Sequence, residues 1–156
     1  MHRLLEELHH YHQTISATID QMKNLLGKLK GDACDAADRQ QLFALLESLH
    51  GDAETRHHQN EELIRRLLLT TRAPVHPRVL DIERDHQGFA RIAKQLKTLE
   101  HSSLTPREIA TVIEDYTHKY YDHLDSEENI FFPLADKWLS DSQWQEIKQQ
   151  WQTPKS

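Results

Sequence analysis

The chain has 156 residues, 37% hydrophobic and 28% charged, with a formal net charge of −6. That length fits one domain over residues 1–156 with a substantial core. The acidic balance excludes a general nucleic-acid or anionic-membrane binder, since both reward a basic face. No apolar run approaches transmembrane length, and "MHRLLEELHHYH" lacks the apolar centre of a signal peptide. The single cysteine, Cys34, offers no internal disulfide, so the default setting is cytoplasmic.

Four glycines and five prolines leave little turn material, and no segment alternates apolar and polar residues over a strand length. The fold expected is all-α: an up-down-up-down four-helix bundle with a short C-terminal fifth helix. The first helix spans about 2–27, burying Leu5, Leu8, Ile15, Ile19 and Leu26 and ending in the Gly-containing "GKLKGDACD". The second runs from about 36 to 70, capped by Asp35 or Asp38, with Phe43, Leu46, Ile64 and Leu68 inward and a kink at Gly51. "TTRAPVHP" is a connection. The third helix covers about 78–100, with Val79, Ile82, Phe89, Ala93 and Leu96 on its inner stripe. Thr105-Pro106-Arg107-Glu108 is a capping box with proline at the first helical position, opening a fourth helix from 106 to about 131. There Pro133 biases Phe132 out of helical geometry. "LSDSQWQEIKQQW" forms the terminal helix, and Trp138, Trp144 and Trp151 cover the bundle end.

Twelve histidines are spread along the chain, well beyond ordinary usage. Two of them open the same signature, "HHQNEE" from His57 and "HLDSEE" from His123. Residues four apart on a helix lie about 40° apart, so His57 and Glu61 point together, as do His123 and Glu127. Both pairs lie on the apolar stripes, the second with Tyr116, Ile130 and Leu134. Two carboxylates in an apolar interior demand compensating positive charge, and no Lys or Arg shares those stripes within a turn. The other two helices present His12 and His86 instead. The chain thus reads as a twofold repeat: His12 then His57-x-x-x-Glu61, His86 then His123-x-x-x-Glu127. Four imidazoles and two carboxylates without thiolate suit a pair of transition-metal ions, iron or manganese ahead of structural zinc.

The remaining histidines carry less. His50, His9 and Glu83 are candidates for an added ligand or a supporting hydrogen bond. His58 points away from the core stripe, although His58/Glu62 is the alternative register. His2, His10, His76, His101 and His118 face solvent. Tyr116 and Tyr120 sit inward as core residues or hydrogen-bond donors. Glu62 and Glu128, about 140° from His57 and His123, face neighbouring helices or solvent.

"HHQNEELI", "HLDSEENIFFPLA", "ERDHQGFARI" and "LHHYHQTI" in this order make the whole chain resemble the hemerythrin-like, or HHE cation-binding, family. The resemblance implies two iron ions bridged by Glu61, Glu127 and an oxo or hydroxo group, with His12 and His57 on one iron and His86 and His123 on the other. Oxygen-carrying members place a second histidine one turn after the lone one on the third helix, where this chain has Ala90. They also place an Asp five residues after the last histidine, where this chain has Glu128. The resemblance therefore implies a small diatomic or peroxide ligand, O2, NO or hydrogen peroxide, bound for sensing or protection rather than oxygen carriage. An enzyme reducing peroxide or NO, or oxidising ferrous iron, and an iron donor for iron–sulfur cluster repair are its alternatives. A protein partner or a homodimer is left open.

Overall fold

A computed structural model describes residues 1–154. Eight α-helices follow in order: α1 Arg3–Lys30, α2 Ala36–Ser48, α3 Asp52–Leu68, α4 Pro77–Leu80, α5 Ile82–Lys97, α6 Pro106–Ser126, α7 Phe132–Trp138 and α8 Asp141–Gln150. A 3-10 turn, Thr98–His101, closes α5, and a π-helical turn, Glu127–Phe131, joins α6 to α7. Among the described residues there is no strand, and no helix is long and apolar enough to cross a membrane.

The helices start where local chemistry supplies caps. Asp35 and Asp38 form a reciprocal capping box for α2, Thr105 and Glu108 one for α6, and Ser140 and Gln143 one for α8. Each satisfies amide donors that the first helical turn leaves orphaned. Gly27 does not stop the first helix; α1 continues to Lys30, with Lys28 and Lys30 in its last turn against the negative end of the helix dipole. Gly51 is a break rather than a kink. It caps α3 with extended backbone, so the expected second helix is two helices in one column.

The fourth column departs most from expectation. Pro133 does not end it; the chain stays helical to Trp138. Proline has no N–H, and its ring crowds the carbonyl of the preceding turn. The π-turn just before it absorbs that clash, with Phe132 N–H bonded to Glu127 O five residues back. The wider turn inserts one residue into the helical register. Buried positions therefore shift from the expected Ile130 and Leu134, which are half-buried, to Phe131 and Ala135, together with Phe132.

Four columns result: α1, α2 with α3, α4 with α5, and α6 through α7. They enclose two apolar clusters. One holds Ile15, Ile19, Met22, Leu42, Leu46, Phe89, Ala93, Ile113 and Tyr120. The other holds Leu4, Leu5, Leu8, Ile64, Leu68, Val79, Ile82, Phe131, Phe132 and Ala135. Every column passes from one cluster to the other in alternating direction, which is the up-down-up-down course. The C-terminal α8 packs on α3 and adds Trp144 and Ile147 to the second cluster. Of the three tryptophans only Trp144 is buried; Trp151 is half-buried and Trp138 exposed. Each fully buried Leu or Ile of these clusters contributes about 1.5–3 kcal/mol.

Candidate metal centre

Between the two clusters every column contributes polar side chains. His12 follows Leu8 on α1, His57 and Glu61 precede Ile64 on α3, His86 lies between Ile82 and Phe89 on α5, and His123 and Glu127 precede Phe131. All six are buried, Glu61 completely. The structure thus brings together every residue of the expected set.

Their heteroatoms converge. His57 Nε2 lies 2.9 Å from His12 Nε2. Glu61 Oε1 lies 3.3 Å from His57 Nε2 and 3.2 Å from His86 Nε2, and its Oε2 lies 3.3 Å from His12 Nε2. Glu127 Oε1 lies 3.0 Å from His123 Nε2 and 3.4 Å from His12 Nε2, and its Oε2 lies 3.4 Å from His86 Nε2. Each carboxylate spans both halves of the layer. Compact groups form from His12, His57 and Glu61 on one side and His86, His123 and Glu127 on the other.

Both oxygens of Glu61, Glu127 Oε2, His86 Nε2 and His123 Nε2 are buried without a hydrogen-bond partner. Leaving such groups unmade costs about 1–3 kcal/mol each, and more for charged ones. Among the described residues the ion-pair contacts of Glu61 and Glu127 are with histidines alone. Imidazole nitrogens and carboxylate oxygens aimed at one another off hydrogen-bond geometry fit a shared cation, and this donor set fits iron.

The outer faces of the histidines are held by carboxylates. His12 Nδ1 donates to Glu128 Oε1 at 2.8 Å, and His123 Nδ1 donates to Asp85 Oδ2 at 3.3 Å. Such a bond fixes the tautomer and presents the Nε2 lone pair inward. Glu128 also accepts from His9 Nδ1 at 2.9 Å. Arg65, four residues after Glu61, is a buried cation on that stripe contrary to expectation, but it turns to Glu62 and pairs with Glu83 at 2.9 Å instead of with Glu61. His9, Glu83 and His50 add no atom to the convergent groups. His50 occupies the turn after α2, with its Nε2 buried and unpartnered. His10, His76, His101 and His118 are exposed. His2 is not simply solvent-facing: it caps α1 and stacks on Trp144 at 4.0 Å.

His58 departs from expectation. Its ring stacks on His86 with centroids 3.7 Å apart, and it forms a third convergent group with Glu61 and His86. Its Nε2 donates to Glu54 Oε1 at 2.8 Å. His58 and Ala90 line one groove of about 660 Å³ between α3 and α5, with His86 in its wall. An imidazole from α3 thus stands beside the position where the third helix lacks one. The HH doublet was the available signal. Consecutive residues are about 100° apart, and both turn inward only where a helix has a packed neighbour on each side.

Electrostatics follow from this crowding. Burial draws the His12 imidazole down, but the carboxylates of Glu127, Glu128 and Glu61 around it outweigh it and hold it well above its usual value. His86, against the same burial, is pushed up to about 10 by Glu127 and Glu61. His123 is pushed up to about 9 by Glu127 and Asp85. Burial and the charge of Glu127 oppose ionisation of Glu61, yet His57 and His12 keep it below the carboxylate range. Glu127 is likewise held well below, against burial, chiefly by His123. Without metal, protons supply the positive charge that the carboxylates require. His58 moves the other way: burial, with His86 adding to it, keeps it neutral, the form that ligates metal.

A family model, the hemerythrin HHE cation binding domain, matches residues 3–135. Neither the curated proteins nor the solved structures yield a match.

Proposed function

The chain belongs to the hemerythrin HHE cation-binding family, and from that premise we propose a cytoplasmic non-haem di-iron protein that binds a small oxidant for sensing or protection. The observation carrying this reading is the buried convergence of His12, His57, Glu61, His86, His123 and Glu127 with unpartnered oxygens and nitrogens at its centre. His12 and His57 would hold one ion and His86 and His123 the other, with Glu61 and Glu127 shared between them. His58 is the candidate for a further donor on the His86 side. Two irons held there would supply redox-active Lewis-acid chemistry towards O2, NO or peroxide.

The protein's own contribution is orientation and access. Glu128 and Asp85 fix two imidazoles, and the apolar clusters above and below keep bulk water from Glu61 and Glu127. The groove floored by His58 and His86 is an approach for a small molecule, made roomy by Ala90. The lone free Cys34 suits a reducing compartment.

Elemental analysis after anaerobic loading with ferrous iron should find two irons per chain. Stopped-flow mixing with O2, NO and hydrogen peroxide should then give stable adduct spectra. Absence of bound iron overturns the reading, and sustained consumption of an oxidant transfers it to a reductase or oxidase at the same centre.

A further inference from the structure

Beside the convergent set lies a second buried polar cluster that metal binding does not require. Tyr11 on α1 donates its hydroxyl proton to Glu54 Oε2 at 2.7 Å, and Tyr120 on α6 donates to Oε1 of the same carboxylate. Glu54 is 3% exposed and accepts from His58 as well, at 2.8 Å. Each phenol also packs on a histidine of a different half of the centre. The Tyr11 ring lies 4.3 Å from that of His57, and the Tyr120 ring lies 6.2 Å from that of His123. Tyr116 is as buried as Tyr120, but its hydroxyl has no partner. Two oxidisable rings therefore touch the two halves of the site and share one base.

We propose that Tyr11 and Tyr120 are one-electron donors to the metal centre, with Glu54 as their common proton acceptor. The inference rests on the di-iron reading above and takes hydrogen peroxide as the oxidant. One electron leaves a phenol ring across its contact with His57 or His123. The phenolic O–H bond breaks, its proton passes along the existing hydrogen bond to Glu54, and a neutral tyrosyl radical remains. Two such donations, with the two phenolic protons, break the O–O bond of one peroxide and yield two waters. Glu54 takes the two protons in turn and releases each towards the groove beside it, which the His58 ring lines. Oxidising equivalents are thereby drawn to phenols and away from the ligating imidazoles. Tyr116, with no acceptor for its proton, takes no part.

The test is electron paramagnetic resonance of iron-loaded protein, freeze-quenched after one equivalent of hydrogen peroxide, with iron content measured on the same samples. Wild type should show a radical whose lines narrow when the tyrosines are ring-deuterated. The Tyr11→Phe/Tyr120→Phe double variant should lose it, each single variant should keep part of it, and Tyr116→Phe should keep all of it. Glu54→Gln should retain iron yet cut the radical yield several-fold. Two irons per chain with no tyrosyl radical, or an undiminished radical in the double variant, overturns this proposal alone. Failure to take up iron overturns it together with the di-iron reading.

Discussion

The adjacent acids Glu127 and Glu128 have opposite roles although one bond separates their residues. Glu127 points between His12, His86 and His123, whereas Glu128 accepts from the outer nitrogens of His9 and His12. Glu127→Ala should remove a shared ligand, strip most of the iron and lower the melting temperature of the loaded protein. Glu128→Ala should keep iron at saturation and weaken its affinity about 10–100-fold, the usual cost of losing a carboxylate behind a ligating histidine. Chelator competition with elemental analysis reads both; retention of iron by the first variant and its loss from the second would reverse the assignment. His58→Ala tests the remaining imidazole. If His58 donates to the ion on the His86 side, that ion alone becomes labile and the stoichiometry falls towards one per chain. Unchanged affinity for both ions would leave His58 only its bond to Glu54.

At the level of elements, the π-turn is the feature that a straight helix would not contain. It lets Pro133 follow the site without breaking the column, and it decides which residues after Glu127 face the second cluster. Phe131 is fully buried, while Ile130 only abuts that cluster. Phe131→Ala should therefore cost about 3–5 kcal/mol. Ile130→Ala should cost clearly less, because much of that side chain is already in water. Denaturant unfolding of the metal-free proteins measures the two, and an equal or larger loss at Ile130 would show a regular α register instead. The same turn places Glu127 inward at the last α-helical contact with His123 before the register shifts.

For the whole molecule, a polar layer between two apolar clusters makes stability depend on what neutralises the layer. In the metal-free protein the neutralising charges are protons. His86 and His123 are pushed up to about 10 and about 9 in the fold by the carboxylates beside them, above their ordinary value of 6.5. Their stabilisation is thus complete below pH 6.5 and is lost as pH rises through those values. Glu61 and Glu127 are depressed, so their contribution is present above 4.5 and is lost as pH falls below it. Metal-free protein should melt at its highest temperature on the mildly acidic side of neutrality and progressively lower towards pH 10. Iron-loaded protein should keep its melting temperature over that alkaline range, because the ion's charge does not titrate away. Thermal unfolding across pH with and without chelator compares them, and an equally flat alkaline limb in both forms would contradict the account.

Much of this was legible along the chain. Heptad-like apolar stripes, the Thr105–Glu108 capping box and the scarcity of glycine specify helices, because burial at a 3.6-residue period is a local property. The recurrence of His-x-x-x-Glu on those stripes singles out six residues, since a carboxylate on an apolar face needs a cation wherever the helices meet. What neighbours decide was not legible. Gly51 breaks its helix where a kink was expected, and Pro133 is carried through by a π-turn whose inserted residue moves the buried face by one position. His58 turns inward because α3 is flanked by α5 as well as by α1, and Glu54 gathers Tyr11, Tyr120 and His58 from three helices. Such pairings join residues up to 66 positions apart. A sequence fixes the period of each helix, but only packing sets the rotation of one helix against the next, and that rotation decides which polar atoms meet.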